Sequence, residues 1–181
     1  MKRSKQAIRK TFLAIRKTLS QKRREEGEKA ALHFLSKRVA QLRFVLSFAS
    51  HKEEINLWPF NRALAREGRL LLPKVFSEKT LIPYHIQDLE KELIPHPQWG
   101  ILEPKVDLCR TASLEEIGVV LVPGVVFDHT FQRLGYGKGI YDRFLLSLGC
   151  PLIGVGFKEQ VLKSPLPCQA HDVPLNELAL F

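Results

Sequence analysis

Apolar residues recur with a helical period at the start of the chain. Ile8, Phe12, Ile15 and Leu19 are spaced for one face, predicting an amphipathic helix over residues 4–20. The same reading gives a second helix over residues 25–38, with Ala30, Ala31, Phe34 and Leu35 inward. The pattern then changes. Residues 44–49 form a short apolar run, as expected of a strand buried on both faces. Residues 53–67 read as a helix that starts near Pro59, because proline suits a first helical turn. Residues 69–76 and 80–86 read as strands, and Pro73 and Pro83, which cannot donate to a ladder, place them at edges or ends. Residues 88–112 are proline-rich without a clean period and predict loop and short helix. Further strands are expected at 118–122, 152–157 and 178–180, and a helix at 140–148.

Strands that alternate with helices predict an α/β fold: three layers, a mostly parallel sheet flanked by helices on both faces. No linker, repeat or low-complexity tract divides the chain, so residues 1–181 are expected to form one domain. Sheets of this kind bind ligands at the carboxyl ends of their strands. Glu54, the loop 123–142, Gln160, and Lys5 with Arg9 on a leaning first helix would all fall there.

Charge adds one asymmetry. The net charge is +9, yet ten of the 28 Lys/Arg lie in residues 1–24, which contain no acid. The remainder carries 18 basic against 19 acidic residues. Such a basic segment is either a solvated helix face or a contact for nucleic-acid phosphates. Lys5 and Arg9 are four apart and share a face. No apolar run reaches the roughly 18 residues of a membrane span. The basic N-terminus has no apolar core of a secretory signal. Cys109, Cys150 and Cys168 are few and widely spaced, as in a reduced, cytoplasmic protein. The histidines have no zinc spacing and no Gly-x-Ser-x-Gly elbow is present. A monomer without a membrane partner is expected.

The candidate chemistry lies in Arg133-Leu134-Gly135-Tyr136-Gly137-Lys138-Gly139-Ile140-Tyr141-Asp142-Arg143. Glycines at alternate positions let backbone N–H groups converge on an anion, and Arg133 and Lys138 add charge. Asp142 could hold a magnesium ion that accompanies a nucleotide, or pair with an arginine. The spacing fits neither the dinucleotide fingerprint nor the P-loop, so a plain turn stays open beside a phosphate cradle.

The longer pattern resembles the 5-formyltetrahydrofolate cyclo-ligase family. Pro123-Gly124 and Phe127-Asp128 precede the glycine segment as in the family's signature. Lys5-x-x-Ile8-Arg9, Glu54-Ile55, Gly100-Ile101-x-Glu103-Pro104, Gly156-Phe157-x-x-Gln160 and His171-Asp172 match in order across the chain. The resemblance implies conversion of 5-formyltetrahydrofolate to 5,10-methenyltetrahydrofolate, with ATP as co-substrate, Mg²⁺ as cofactor, and ADP and phosphate released. It implies a nucleotide site of Lys5, Gln6, Ala7, Ile8, Arg9, Arg133, Leu134, Gly135, Tyr136, Gly137, Lys138, Gly139, Ile140 and Tyr141. Arg133 and Lys138 would be catalytic, Asp142 and Asp172 would hold the metal, and Ala49, Glu54, Trp99 and Tyr141 would face the folate. The family commonly has Arg where Tyr136 stands and Tyr where Ile140 stands, so one cation and one aromatic differ here. Small-molecule substrates and no nucleic acid are expected as partners. Two alternatives remain: a nucleic-acid binder working through the basic helix, and an ATP-dependent enzyme of this fold with another substrate.

Overall fold

A computed structural model describes residues 4–77 and 80–181. The first helix, α1 (Lys5–Thr18), starts on Ser4, whose hydroxyl accepts from the Ala7 amide. The second, α2 (Gln21–Arg38), starts on Ser20, which caps the Arg23 amide. Serine caps satisfy amides that the first turn leaves without partners. They explain why α2 starts four residues before the apolar pattern that predicted it. Its buried positions are Gly27, Ala31 and Leu35. Ala30 and Phe34 are exposed, correcting the inward face read from sequence; Phe34 instead sits edge-on to Phe181, 5.8 Å between ring centres.

The remaining elements are β1 (Val45–Leu46), α3 (Trp58–Arg66), β2 (Leu70–Ser77), β3 (Thr80–Ile86), β4 (Leu93–Pro95), β5 (Leu102–Pro104), β6 (Val119–Pro123), β7 (Val126–Asp128), β8 (Arg133–Leu134), α4 (Ile140–Leu145), β9 (Leu152–Gly156), β10 (Val161–Leu162) and β11 (Glu177–Leu180). Six strands form the main sheet in the order β11-β9-β6-β1-β2-β3. All its neighbours pair in parallel except β2 and β3. Pro73 sits opposite Pro83 in that antiparallel pair, beyond the Leu70 and Leu71 pairing of β2 with β1. Neither proline therefore interrupts the centre of the sheet.

Alternate residues of the strands face opposite layers. Val45, Leu70, Leu72, Val119, Leu121 and Ile153 pack with Ala31 and Leu35 of α2 and Phe60 and Leu64 of α3. Leu46, Leu71, Val120, Val122 and Leu152 pack with Phe144 and Leu145 of the short α4. A third apolar cluster joins Ile8 and Phe12 of α1 to Val126 and Leu134. Residues 88–112 hold no helix; they form the β4–β5 hairpin, correcting the loop-and-helix reading. Three residues per strand suffice for this pairing, and Pro95 and Pro104 stand at strand ends, where a missing N–H is tolerated. The strands β7 and β8 pair antiparallel, β10 joins β7, and all three went unread because two or three residues carry no period.

Candidate active site

The chain leaves β1 toward β2 on one side and returns as β6 on the other, so strand order reverses between β1 and β6. Loops diverge at such a point and leave a crevice at the carboxyl ends. Here Phe48 and Ala49, beyond β1, and Pro123 and Gly124, at the end of β6, line a cavity of about 520 Å³.

Gln160 shapes this crevice from behind. It is 2% exposed, accepts from the Phe157 amide at 2.8 Å, and donates to the carbonyls of Gly124 at 2.7 Å and Val125 at 3.2 Å. It braces the turn after β6 and does not line the cavity, although it was expected beside the ligand. Asp128 is also buried and structural. One oxygen accepts from the Thr130 amide and hydroxyl and the Gln132 amide, and the other from the Leu166 amide at 2.6 Å. Burial alone would raise its pKa, but these donors outweigh it and hold the carboxyl below the ordinary range. The β7–β8 turn is thereby fixed, and it launches the glycine segment.

The backbone of that segment needs its glycines at two points. Gly137 has φ +105° and Gly139 φ +63°, in a region that other residues adopt only under strain. A Cβ on Gly137 would also lie 3.2 Å from the Arg9 guanidinium carbon. Arg9 donates through Nε to the Gly135 carbonyl at 2.7 Å, so helix α1 is tied to the loop. One turn earlier, Lys5 meets Asp172 at 2.7 Å. The shared face of Lys5 and Arg9 therefore points into the cavity, which both line.

Five cations line the cavity: Lys5, Arg9, Lys52, Arg133 and Lys138. Arg133 donates to Asp142 at 2.7 Å, and its guanidinium lies 5.6 Å from the Tyr141 ring centre. Its Nε is buried without a hydrogen-bond partner. Lys138 stands 4.0 Å over the Trp99 ring, whose other neighbour is His96, stacked at 4.2 Å. Ala49, Glu54, Trp99, Tyr141, Asp142, Asp172 and residues 133–140 share this cavity with Lys5 and Arg9. Gln6, Ala7 and Ile8 do not line it: Gln6 and Ala7 face outward and Ile8 lies in the apolar cluster beneath α1.

Several lining residues were not singled out from sequence, among them His51, Lys52, Gln98 and Gln169. His171 and Glu103, read from sequence only as parts of motifs, line it as well. Glu103 is 5% exposed, accepts from the Val75 amide at 3.2 Å and stands 3.6 Å from Lys74.

The donor set can be tested for magnesium. Asp142 and Asp172 both line the cavity, and their closest bonds, to Arg133 and Lys5, each fall on a single carboxylate oxygen. Burial would raise the pKa of Asp172, but hydrogen bonds from Lys5 and the Gln169 amide hold it below the usual carboxylate value. It is therefore ionised at neutral pH. Among the described residues no group of three or more His, Cys, Asp or Glu could hold a metal ion. Two carboxylates facing one anion site suit magnesium, which takes one or two of them together with phosphates and water. They do not form a closed protein cage.

Among the described residues, five of the eight Lys/Arg of residues 4–24 are engaged within the molecule. Besides Lys5 and Arg9, Arg23 pairs with Glu159 at 2.7 Å and Arg24 donates to the Glu53 carbonyl at 3.1 Å. Arg16 is buried. No helix among the described residues is long and apolar enough to cross a membrane.

Known proteins match this chain over most of its length. A 5-formyltetrahydrofolate cyclo-ligase of Escherichia coli K12 is 32% identical over 164 residues, 86% of this chain and 87% of its own. A probable 5-formyltetrahydrofolate cyclo-ligase of Schizosaccharomyces pombe is 28% identical over 127 residues, with the chain spanning 62% of that relative's length. The solution structure of Aquifex aeolicus 5,10-methenyltetrahydrofolate synthetase superposes with a TM-score of 0.84 at 30% identity, covering 96% of this chain and 88% of that one. The model of the 5-formyltetrahydrofolate cyclo-ligase family matches residues 1–180, and the chain belongs to that family of enzymes.

Proposed function

We propose that the protein converts 5-formyltetrahydrofolate and ATP to 5,10-methenyltetrahydrofolate, ADP and phosphate, with Mg²⁺. The observation that carries this reading is the one cavity in which Lys5, Arg9, Arg133, Lys138 and the glycine loop meet Glu54, Trp99 and Tyr141. Phosphate-binding groups thus share one space with aromatic and acceptor groups suited to a pterin.

The chemistry asks for positioning rather than a protein nucleophile. The formyl oxygen attacks the γ-phosphorus of ATP and ADP leaves. The folate's own N10 then attacks the activated carbon, the ring closes, and phosphate departs with the proton that N10 loses. Phosphoryl transfer of this kind is accelerated mainly by alignment and by charge placed where it develops. Lys5, Arg9, Arg133, Lys138 and the amides of residues 135–139 would hold the phosphates. Arg133 is preorganised for this by Asp142. Asp142 and Asp172 would hold magnesium, which supplies charge neutralisation on the β- and γ-oxygens. Tyr141, whose phenol burial keeps protonated well above neutral pH, offers an uncharged face beside Arg133.

Omission experiments test the reading. Purified protein should form the methenyl product only with nucleotide and divalent ion together. Full turnover in excess chelator, or without nucleotide, would contradict it.

A further inference from the structure

The buried face of α1 carries a charge where an apolar side chain would be expected. Arg16 follows Ile8 and Phe12 on the same stripe and is 1% exposed. A guanidinium stays charged in any protein, so it must find partners when desolvated. Its Nη2 donates to the Tyr136 hydroxyl at 2.7 Å, and its Nη1 reaches the Gly124 carbonyl at 3.4 Å. Its Nε has no partner. The Tyr136 hydroxyl passes the contact on, donating to Glu54 Oε1 at 3.4 Å. The other oxygen of Glu54 accepts from the His51 amide at 3.1 Å. Arg16 and Glu54 line one narrow cleft that also borders Gly124 and Gln160, while Glu54 and Tyr136 face the main cavity.

We infer that Arg16 is a positioning residue: acting through the Tyr136 hydroxyl, it fixes Glu54 as the carboxylate that the cavity presents to N–H donors of the folate's pterin. This rests on the folate reading above. The electrostatics agree with the geometry. Burial raises the pKa of Glu54, while Arg16 first, and then the His51 amide and Tyr136, pull it back. The other groups facing it are Glu53, which pushes upward, and the phenols of Tyr136 and Tyr141, both kept protonated by burial. His51 is held below its ordinary pKa by burial and by Lys52. Arg16 is thus the cation that draws the pKa of Glu54 downward in this set.

Kinetics across pH test the assignment. Arg16→Met keeps the stem and removes the charge. Glu54 would then hold its proton to higher pH, so the acid limb of kcat/KM for 5-formyltetrahydrofolate should move up by about one unit, the low end of a neighbouring cation's effect. On the acid side of that limb the KM for the folate should rise by up to about tenfold, the equivalent of one such unit, with the KM for ATP unchanged. Arg16→Lys should restore part of both effects. Tyr136→Phe should move both in the same direction by less, and it decides the matter if Arg16→Met does not fold. Gln160→Leu removes the other side chain on the Gly124 carbonyl; it should lower Tm and leave the acid limb in place. An unmoved acid limb in Arg16→Met and Tyr136→Phe, or equal rises in both KM values, would overturn the inference. Absence of methenyl product from the unaltered protein would instead tell against the folate reading itself.

Discussion

Two charged clusters line the same cavity and are built differently. In one, Lys5, Arg9 and Arg133 each make a short bond to a protein acceptor: Asp172, the Gly135 carbonyl and Asp142. In the other, Arg16 lies fully buried and reaches Glu54 only through a tyrosine hydroxyl. The first can exchange its partners when an anion arrives, since guanidinium and ammonium groups have donors to spare. In the second, the buried Arg16 is closed to any exchanging partner, so on the inference above it holds one arrangement of the Tyr136 and Glu54 groups that face the cavity. Under the proposed function, the first cluster would hold the transferring phosphoryl charge and the second would orient the substrate.

The largest expected effect comes from removing a cation that a phosphoryl group would need. Lys138→Ala should lower kcat by roughly 10²–10³-fold, the scale for one preorganised electrostatic group. Lys138 is exposed, so Tm should hardly change. Normal turnover in this variant would remove Lys138 from the proposed phosphate site. Next, Lys5→Ala with Arg9→Ala should raise the KM for ATP by roughly tenfold to a hundredfold, about 1.4 kcal/mol per tenfold, and leave the folate KM near its starting value. Neutralising Lys10, Lys17 and Lys22 should leave both KM values near their starting points. Equal effects from the two sets would mean a diffuse basic field rather than a site.

A smaller shift is expected at the carboxylates. Asp142→Asn and Asp172→Asn should each raise the magnesium needed for half-maximal rate by about tenfold, with activity regained at high metal, because an amide is a weaker ligand for a hard cation. An unchanged metal titration in both would leave these residues as ion-pair partners only. The smallest kinetic effect belongs to a residue outside both clusters. Asp128→Asn should destabilise the fold by about 1–3 kcal/mol through its buried donors. Its depressed pKa also gives the sign with pH. The carboxylate's contribution is fully present above the unfolded value of about 4 and is lost as pH falls through the lower folded value. Urea midpoints of the unaltered protein should therefore fall below that range, and less steeply in the variant.

Much of this architecture was legible in the sequence, for physical reasons that differ by element. Central strands such as β6 bury both faces, so an unbroken apolar run marked it. Helix α1 showed its period through Ile8 and Phe12, and its polar face carried Lys5 and Arg9 four apart. The glycine loop was visible because its backbone conformations demand glycine at 137 and 139. The β4–β5 hairpin and β7, β8 and β10 were not, since strands this short bury too few residues to set a pattern. Arg16 was missed although a signal existed: a charged residue four positions after Phe12, on the apolar stripe. The role of Gln160 was misplaced because sequence gives its strand end and not the direction of its side chain. Tyr136, where the resemblance implied a cation lost from the loop, proves to carry the contact of Arg16 to Glu54.

The most direct measurement of the central claim is the stoichiometry of the two half-reactions in one mixture. ADP release and the absorbance of the methenyl product should be followed together, with and without 5-formyltetrahydrofolate. If one cavity joins phosphoryl transfer to ring closure, one ADP should appear per methenyl product, and neither should form without both substrates and magnesium. Rapid ATP hydrolysis in the absence of the folate, or methenyl product formed without ADP, would contradict the account.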